Sequence, residues 1–228
     1  MKKMSKFDLR LLPSLPLTQV NTESGRHYVL PDCDIKFTSV TTFLSKTSDD
    51  SFLETWKKRV GEEEAKVISS KALDRGNTIH GYLEKHIIGH PYKLDKYALQ
   101  FDCIRKYLDR NLTTVFGIEN KMYSKEMQLA GTTDLFGIYK GKNSIVDFKG
   151  SNKPKQLKWI TSYILQCLIY SKMVKECFDI DIEQLVILVG VDKSYKAQEF
   201  IISLSQFEEY ELELKERLVI WNTLSNLS

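Results

Sequence analysis

"AGTTDLFGIYKGKNSIVDFKGSNKPK", residues 130–155, is the stretch on which the fold turns. Two apolar, β-branched runs flank the dipeptide Lys140-Gly141, which is a turn signal. Asp134, Asp147 and Lys149 sit inside these runs, although strand interiors disfavour charge. Asp147 and Lys149 are two apart, so they share one face of a strand while Phe148 turns to the other. If Lys140 and Gly141 form a two-residue loop, Asp134 and Asp147 become direct cross-strand partners, with Cβ atoms about 4.5–5.5 Å apart. A longer loop over 140–143 would shift that pairing.

Two bare carboxylates that close repel and raise each other's pKa, and a cation between them removes the conflict. Hard oxygen donors select Mg2+ or Mn2+ over zinc. The carbonyl of Phe148, at the strand end, is a further donor. Lys149 beside such an ion can orient or deprotonate a water, or stabilise a phosphorane-like transition state. The ion lowers the pKa of its bound water and polarises the phosphoryl oxygen. These are the requirements of phosphodiester hydrolysis. The plainer alternative is an exposed Asp147–Lys149 pair on an edge strand, with Asp134 a solvated acid. The apolar run before Asp147 counts against it, because a central strand makes an unpurposed charged pair expensive.

Upstream, "RGNTIHGYLEKHI" places His80 and Glu84 four apart on one helical face. A lone helical histidine is more often a core or surface residue than a ligand. Here it follows Arg75-Gly76, where glycine permits a close approach. His80 is thus a candidate metal ligand, Glu84 a candidate to orient it or hold a second ion, and Arg75 a candidate substrate contact. His27, His86 and His90 read as structural or surface residues. Downstream, Lys153, Lys155 and Lys158 crowd the start of a predicted helix, with Pro154 placed to begin it. Cations there oppose the helix dipole, and an anionic partner would relieve that conflict; a merely solvated helix start is the alternative. Gln166 and Tyr170 are four apart on the same helix, and a polar Gln166 within "YILQCLIY" suggests a buried hydrogen-bonding task or an ordinary satisfied core amide.

The rest of the chain frames these residues. Residues 1–17 carry two prolines and are expected to wander over the surface. "TQVNTESGRHYVLP" reads as a hairpin, and "FTSVTTFLSKT" as a short helix capped by Thr38 or Ser39. Residues 50–88 are helical, with Gly61 and Gly76 expected to divide them, and 94–110 form another helix. From 111 the order is β-β-β-α-β-β-α, closed by an amphipathic helix. At 228 residues the chain suits one domain, or one core with a helical lobe. A net charge of +3 and a pI near 8.5 permit a nucleic-acid partner without arguing for one, so any basic surface must be local. The four cysteines, Cys33, Cys103, Cys167 and Cys177, lack the spacing of a zinc or iron–sulfur site, and Cys167 reads as a small core residue. No run of about twenty apolar residues is present, and the N-terminus lacks the apolar core of a signal peptide. A reducing, cytoplasmic setting without membrane contact is expected.

Taken as a set, "RHYVLP", "FTSVTTFLSKT", "WKKRVGEEEA", "RGNTIHGYLE", "GTTDLFGIY" and "VDFKGSNKPK" resemble the PD-(D/E)XK nuclease superfamily in its RecB-like branch, nearest the mitochondrial genome maintenance exonucleases and their phage and bacterial relatives. The resemblance covers roughly residues 26–221. It implies an α/β (α+β, mixed-sheet) restriction-endonuclease-like core over about 111–224. A hairpin and short helix over 18–48 and a helical N-terminal lobe over 50–110, able to form an arch, complete a single nuclease domain. It implies a metal-dependent DNA exonuclease with Mg2+ or Mn2+ held by His80, Asp134, Asp147 and the Phe148 carbonyl. Lys149 would be the catalytic lysine, and Gln166 and Tyr170 the helix motif behind the site. DNA is the implied partner, single-stranded by preference with duplex ends as an option, in replication, recombination or repair. The proline of the name motif is absent, with Thr133 before Asp134, and Gly150 stands where many relatives have threonine. The cysteines do not match the four-cysteine cluster of some relatives, so no iron–sulfur cluster is expected. The weak transit-peptide character points to a bacterial cell or a phage-infected host. Two other readings remain open: a structure-specific endonuclease of the same chemistry, and a catalytically inactive DNA-binding or scaffold protein.

Overall fold

The computed structural model describes residues 5–31, 35–49 and 51–225. It is a mixed α/β fold. One sheet of parallel and antiparallel strands lies between two helical layers. The first strands are β1 (Asp8–Leu9), β2 (Thr18–Thr22), β3 (Gly25–Val29) and β4 (Lys36–Ser39). Helices α1 (Val40–Lys46), α2 (Ser51–Val60), α3 (Glu62–Ile88) and α4 (Ala98–Asn111) follow. Then come β5 (Leu112–Ser124), β6 (Leu129–Tyr139), β7 (Lys142–Ser151), α5 (Thr161–Phe178), β8 (Gln184–Val191), β9 (Gln198–Ser203) and α6 (Phe207–Ser225). Among the described residues no helix is long and apolar enough to cross a membrane.

The β6–β7 hairpin closes through a two-residue loop. Tyr139 pairs with Lys142, and Lys140 and Gly141 both take positive φ, 50° and 78°, the conformation whose twist matches a tight hairpin. The register runs inward to Leu135↔Val146 and stops, one row short of Asp134 and Asp147.

At that point the sheet forks. β5 runs along one edge of β6 for its full length. The other edge is shared: β4 takes it, in parallel, at Leu129 and Ala130, and β7 takes it from Leu135 to Tyr139. Gly131–Asp134 lie in the gap, with no described strand on that side. Beyond β7 the sheet continues through the parallel partner β8 to β9.

Alternation along the strands assigns the layers. Phe136, Ile145, Ile187 and Val189 pack under α5, α1 and α6, whereas Leu135, Val146, Phe148 and Leu188 pack under α3 and α4. Phe148, 2% exposed, thus turns one way, and Asp147 and Lys149 turn the other, toward α5. Cys167 is buried in the α5 core, Cys103 and Cys177 are free thiols, and Cys33 lies outside the described residues.

Three sequence expectations change. Residues 5–17 do not wander: Phe7 and Leu17 are buried, and Arg10 and Leu12 donate backbone hydrogen bonds to Val115 and Phe116. The outer edge of the thirteen-residue β5 would otherwise stand open, and this segment covers it. Gly61, at φ 86°, separates α2 from α3, but Gly76 sits inside a continuous α3. Burial of Ile79, Leu83 and Ile87 outweighs the roughly 1 kcal/mol that an interior glycine costs. Pro154 does not begin the long helix. A 3-10 turn over Leu157–Trp159 and the residue Ile160 intervene, and α5 starts at Thr161. The lysines at 153, 155 and 158 therefore precede the helix and do not oppose its dipole.

Candidate active site

The fork brings side chains from both layers to one place. Asp134 is at the end of the gap in β6, 8% exposed. Its Oδ2 accepts from the Phe148 backbone N–H at 2.7 Å, so a carboxylate takes over where the β6–β7 ladder stops. That bond satisfies a buried donor that the fork would otherwise orphan.

His80 reaches the fork from α3. Its Nε2 lies 2.8 Å from the Phe148 carbonyl, and its ring meets the Phe148 ring edge-on at 6.0 Å. A carbonyl only accepts, so Nε2 carries the proton and Nδ1 faces the acids. Nδ1 is 3.4 Å from Asp134 Oδ1 and 3.7 Å from Glu119 Oε1. Gly150 permits this approach. A Cβ there would stand 2.8 Å from Ile79 Cδ1 and 3.0 Å from Arg75 Cδ, so only glycine lets α3 lie this close to β7. The departure at Gly150 thus has a packing cause.

Glu119 is the residue that the sequence reading missed. The pairs Ile118↔Leu135 and Asn120↔Thr133 place it opposite Asp134, yet the ladder skips that row, and Glu119 takes φ 45°. A non-glycine residue in that region costs of order 1 kcal/mol, and such outliers gather at functional sites. His80, Glu119 and Asp134 each offer a ligand atom within 4.8 Å of the others. Glu84, expected beside His80, is not in this set. A helical i,i+4 neighbour shares a face, but the cross-strand neighbour of Asp134 is nearer the fork.

Asp147 lies one strand over, 2% exposed, and is engaged by Lys149. The Lys149 ammonium is 2.6 Å from both carboxylate oxygens and hydrogen-bonds Oδ1, leaving Oδ2 without a hydrogen bond among the described residues. The same ammonium lies 5.0 Å from the centre of the Tyr163 ring. The expected ligand set is thus arranged differently. The Phe148 carbonyl orients His80, Asp147 pairs with Lys149, and Glu119 joins His80 and Asp134.

Electrostatics follow from this crowding. Burial opposes the His80 charge, but the neighbouring acids, Asp134 first and then Glu119 and Asp147, outweigh it and raise the imidazole to about 9. Burial also opposes charge on Lys149, yet Asp147 and Asp134 raise it above its ordinary value. Burial, helped by Asp134, raises the Asp147 carboxyl against the pull of Lys149. The site concentrates acids that favour an added cation, and its donors, two carboxylates and one imidazole, suit a small divalent metal.

Around this cluster is a cleft of about 350 Å³. His80, Glu119, Asp134 and Lys149 form its floor, and Gln166 and Tyr170 of α5 form one side. Tyr170 packs so closely on Gly131 that a Cβ there would stand 2.8 Å from its hydroxyl. Arg26 of β3, Ser39 at the end of β4 and Thr41 of α1 also line the cleft. Ser39 caps α1, accepting from Thr42 N at 3.0 Å. A larger groove of about 440 Å³ between α5 and α6 contains none of the candidate residues.

Four expected contacts lie elsewhere. Arg75 is buried and donates to Asn152 Oδ1, tying α3 to the segment after β7. Lys153, Lys155 and Lys158 are on that segment, outside the cleft wall. His27 and His86 serve structure, the first beside Ser24 Oγ at 3.0 Å and the second between Tyr92 and Asp109.

No family model and no curated protein matches the chain. Among solved structures it is similar to a "putative exonuclease" from Eubacterium rectale, at 14% identity and a TM-score of 0.43 over 67% of this chain and 68% of the other.

Proposed function

We propose that the chain is a metal-dependent deoxyribonuclease of the PD-(D/E)XK kind, an exonuclease acting on the ends of single-stranded DNA. One observation carries the reading: His80, Glu119 and Asp134 converge within 4.8 Å at a break in the sheet, with Lys149 and Asp147 on the adjoining strand. His80 through Nδ1, Glu119 and Asp134 would hold Mg2+ or Mn2+, with Asp147 completing the acidic side. When bound, the ion would supply an activated water and charge neutralisation at phosphorus.

The protein's own part is positional and electrostatic. Phe148 fixes the tautomer of His80 so that Nδ1 is the free donor. Lys149, held charged by its acids, is a stabiliser of developing negative charge and not a base. Gln166 and Tyr170 wall the cleft in which the phosphodiester would lie. Water oxygen would bond to phosphorus as the bond to the leaving sugar oxygen breaks, with the water's proton lost to solvent and the leaving oxygen protonated from it. Residues 1–228 would act as a single nuclease domain, with 50–110 as a lobe beside the entering strand. The setting is replication, recombination or repair in a bacterial cytoplasm or a phage-infected host.

The test is incubation of end-labelled linear single strands, closed circular single strands and linear duplex with Mg2+, Mn2+ or EDTA. Metal-dependent loss of the linear strand alone, abolished in Asp147→Asn, is the expected result. Cutting of the circle would replace the exonuclease by an endonuclease. Binding without cleavage of any substrate would leave a scaffold protein.

A further inference from the structure

β7 and β8 end side by side at Ser151↔Val191, and the chain leaves both strands in the same direction. The segment 152–160 after β7 and the turn 192–197 after β8 are joined there. Gln198 accepts from Lys155 N at 2.7 Å and donates to Lys155 O at 2.9 Å, and Asp192 N donates to Ser151 O at 2.8 Å. Both are also pinned by α4: Gln100 Nε2 donates to Ser151 O and Gly190 O at 3.0 Å, and Cys103 Sγ donates to Ser194 O.

On this anchored backbone the side chains point into water. Tyr195 is 78% exposed and Trp159 is 57% exposed. A single exposed ring needs no explanation, but two on adjoining anchored segments present flat apolar surface left uncovered by the described residues. The same segments carry Lys153, Lys155, Lys158, Lys193 and Lys196 against one acid, Asp192. None of these five ammonium groups makes a salt bridge among the described residues, whereas Lys149, Lys172 and Lys175 do. The whole chain carries only +3, and these five lysines are a local concentration of basic charge within it. Trp159 precedes by four residues Tyr163, whose ring lies 5.0 Å from the ammonium of Lys149, a residue that lines the cleft.

We propose that Trp159 and Tyr195 are stacking platforms for unpaired bases, and that the lysines around them hold the backbone of single-stranded DNA leading to the cleft. Lysines alone would suit any polyanion. Exposed rings select a strand whose base faces are free, because a duplex hides them. The direction "to the cleft" rests on the nuclease reading, but recognition of the strand does not.

The experiment is fluorescence anisotropy of labelled (dT)20 with the full chain in EDTA, where cleavage plays no part. Trp159→Ala and Tyr195→Ala should each weaken binding about tenfold. Trp159→Phe should keep most of the affinity, and an abasic 20-mer should bind at least about tenfold more weakly than (dT)20. Paired substitution of Lys193→Gln and Lys196→Gln should reduce the slope of log K against log salt by about 1.4. Thermal melting of each variant checks that the fold is intact. The track is overturned if wild type fails to bind (dT)20, if folded alanine variants bind it as wild type does, or if the abasic strand binds equally well. A parallel Mg2+ and Mn2+ cleavage arm separates the two claims. Base-dependent binding without cleavage keeps the track and removes the nuclease; cleavage with unaltered variant binding does the reverse.

Discussion

Asp134 divides its two oxygens between structure and chemistry: Oδ2 holds the Phe148 amide, and Oδ1 faces His80. Asp134→Asn should keep an acceptor for Phe148 while lowering Mn2+ affinity, and Asp134→Ala should lose both. Calorimetric Mn2+ titration beside thermal melting distinguishes them, with about 1–3 kcal/mol of extra destabilisation in the alanine variant. Glu119→Gln should weaken Mn2+ binding by about tenfold or more, whereas Glu84→Gln should leave it within about twofold; equal effects would remove Glu119 from the site. Lys149→Ala should lower kcat by about 10²–10³ with strand binding in EDTA little changed. Asp134, Asp147 and Lys149 were legible because charge inside a β-branched run is a conflict visible without coordinates. Glu119 was not. Its place depends on the β5–β6 register across residues 125–128, where no Asn-Gly or similar pair marks the turn, and on a positive φ that no glycine announces.

At the scale of elements, the hairpin was readable from Lys140-Gly141 alone, since loop length fixes register, but the end of the ladder one row before Asp134 and Asp147 was not, and those two acids are not the direct cross-strand pair expected. The start of α5 was misread because Pro154 satisfies the rule for a first helical residue, and nothing local reveals the 3-10 turn that delays the helix. The approach of α3 to β7 was also illegible, for it depends on what faces Gly150 in space. Gly150→Ala tests it. The added methyl must displace Ile79 and Arg75 and push α3 outward, at a cost of about 1–3 kcal/mol. Because the same shift lengthens the His80–Phe148 contact, Mn2+ affinity should fall together with the melting temperature. A stability loss at unchanged affinity would mean that α3 rotates without moving His80.

For the whole molecule, the acids at the fork tie stability to pH. His80 is raised from 6.5 to about 9, so its contribution is fully present below pH 6.5 and is lost as pH rises through 9. Asp147 is raised too, which has the same sign: its charged form is disfavoured in the fold, and lower pH relieves that cost. The metal-free protein should therefore melt lower at pH 9.5 than at pH 6, by roughly 3 kcal/mol from His80, or on the order of 5–10 °C for a chain of this size. His80→Gln should flatten the profile. Added Mn2+ should stabilise most at alkaline pH, where it no longer competes with the His80 proton. The forked sheet offers a direct view of these events. The Phe148 amide is bonded to a side chain where its neighbours bond to strands, and that side chain is itself a candidate ligand. Its nitrogen–proton resonance should move when a cation draws charge from Asp134, while amides of the paired rows Leu135–Tyr139 stay still. One peak in a spectrum would then serve as an occupancy gauge, readable without substrate or turnover.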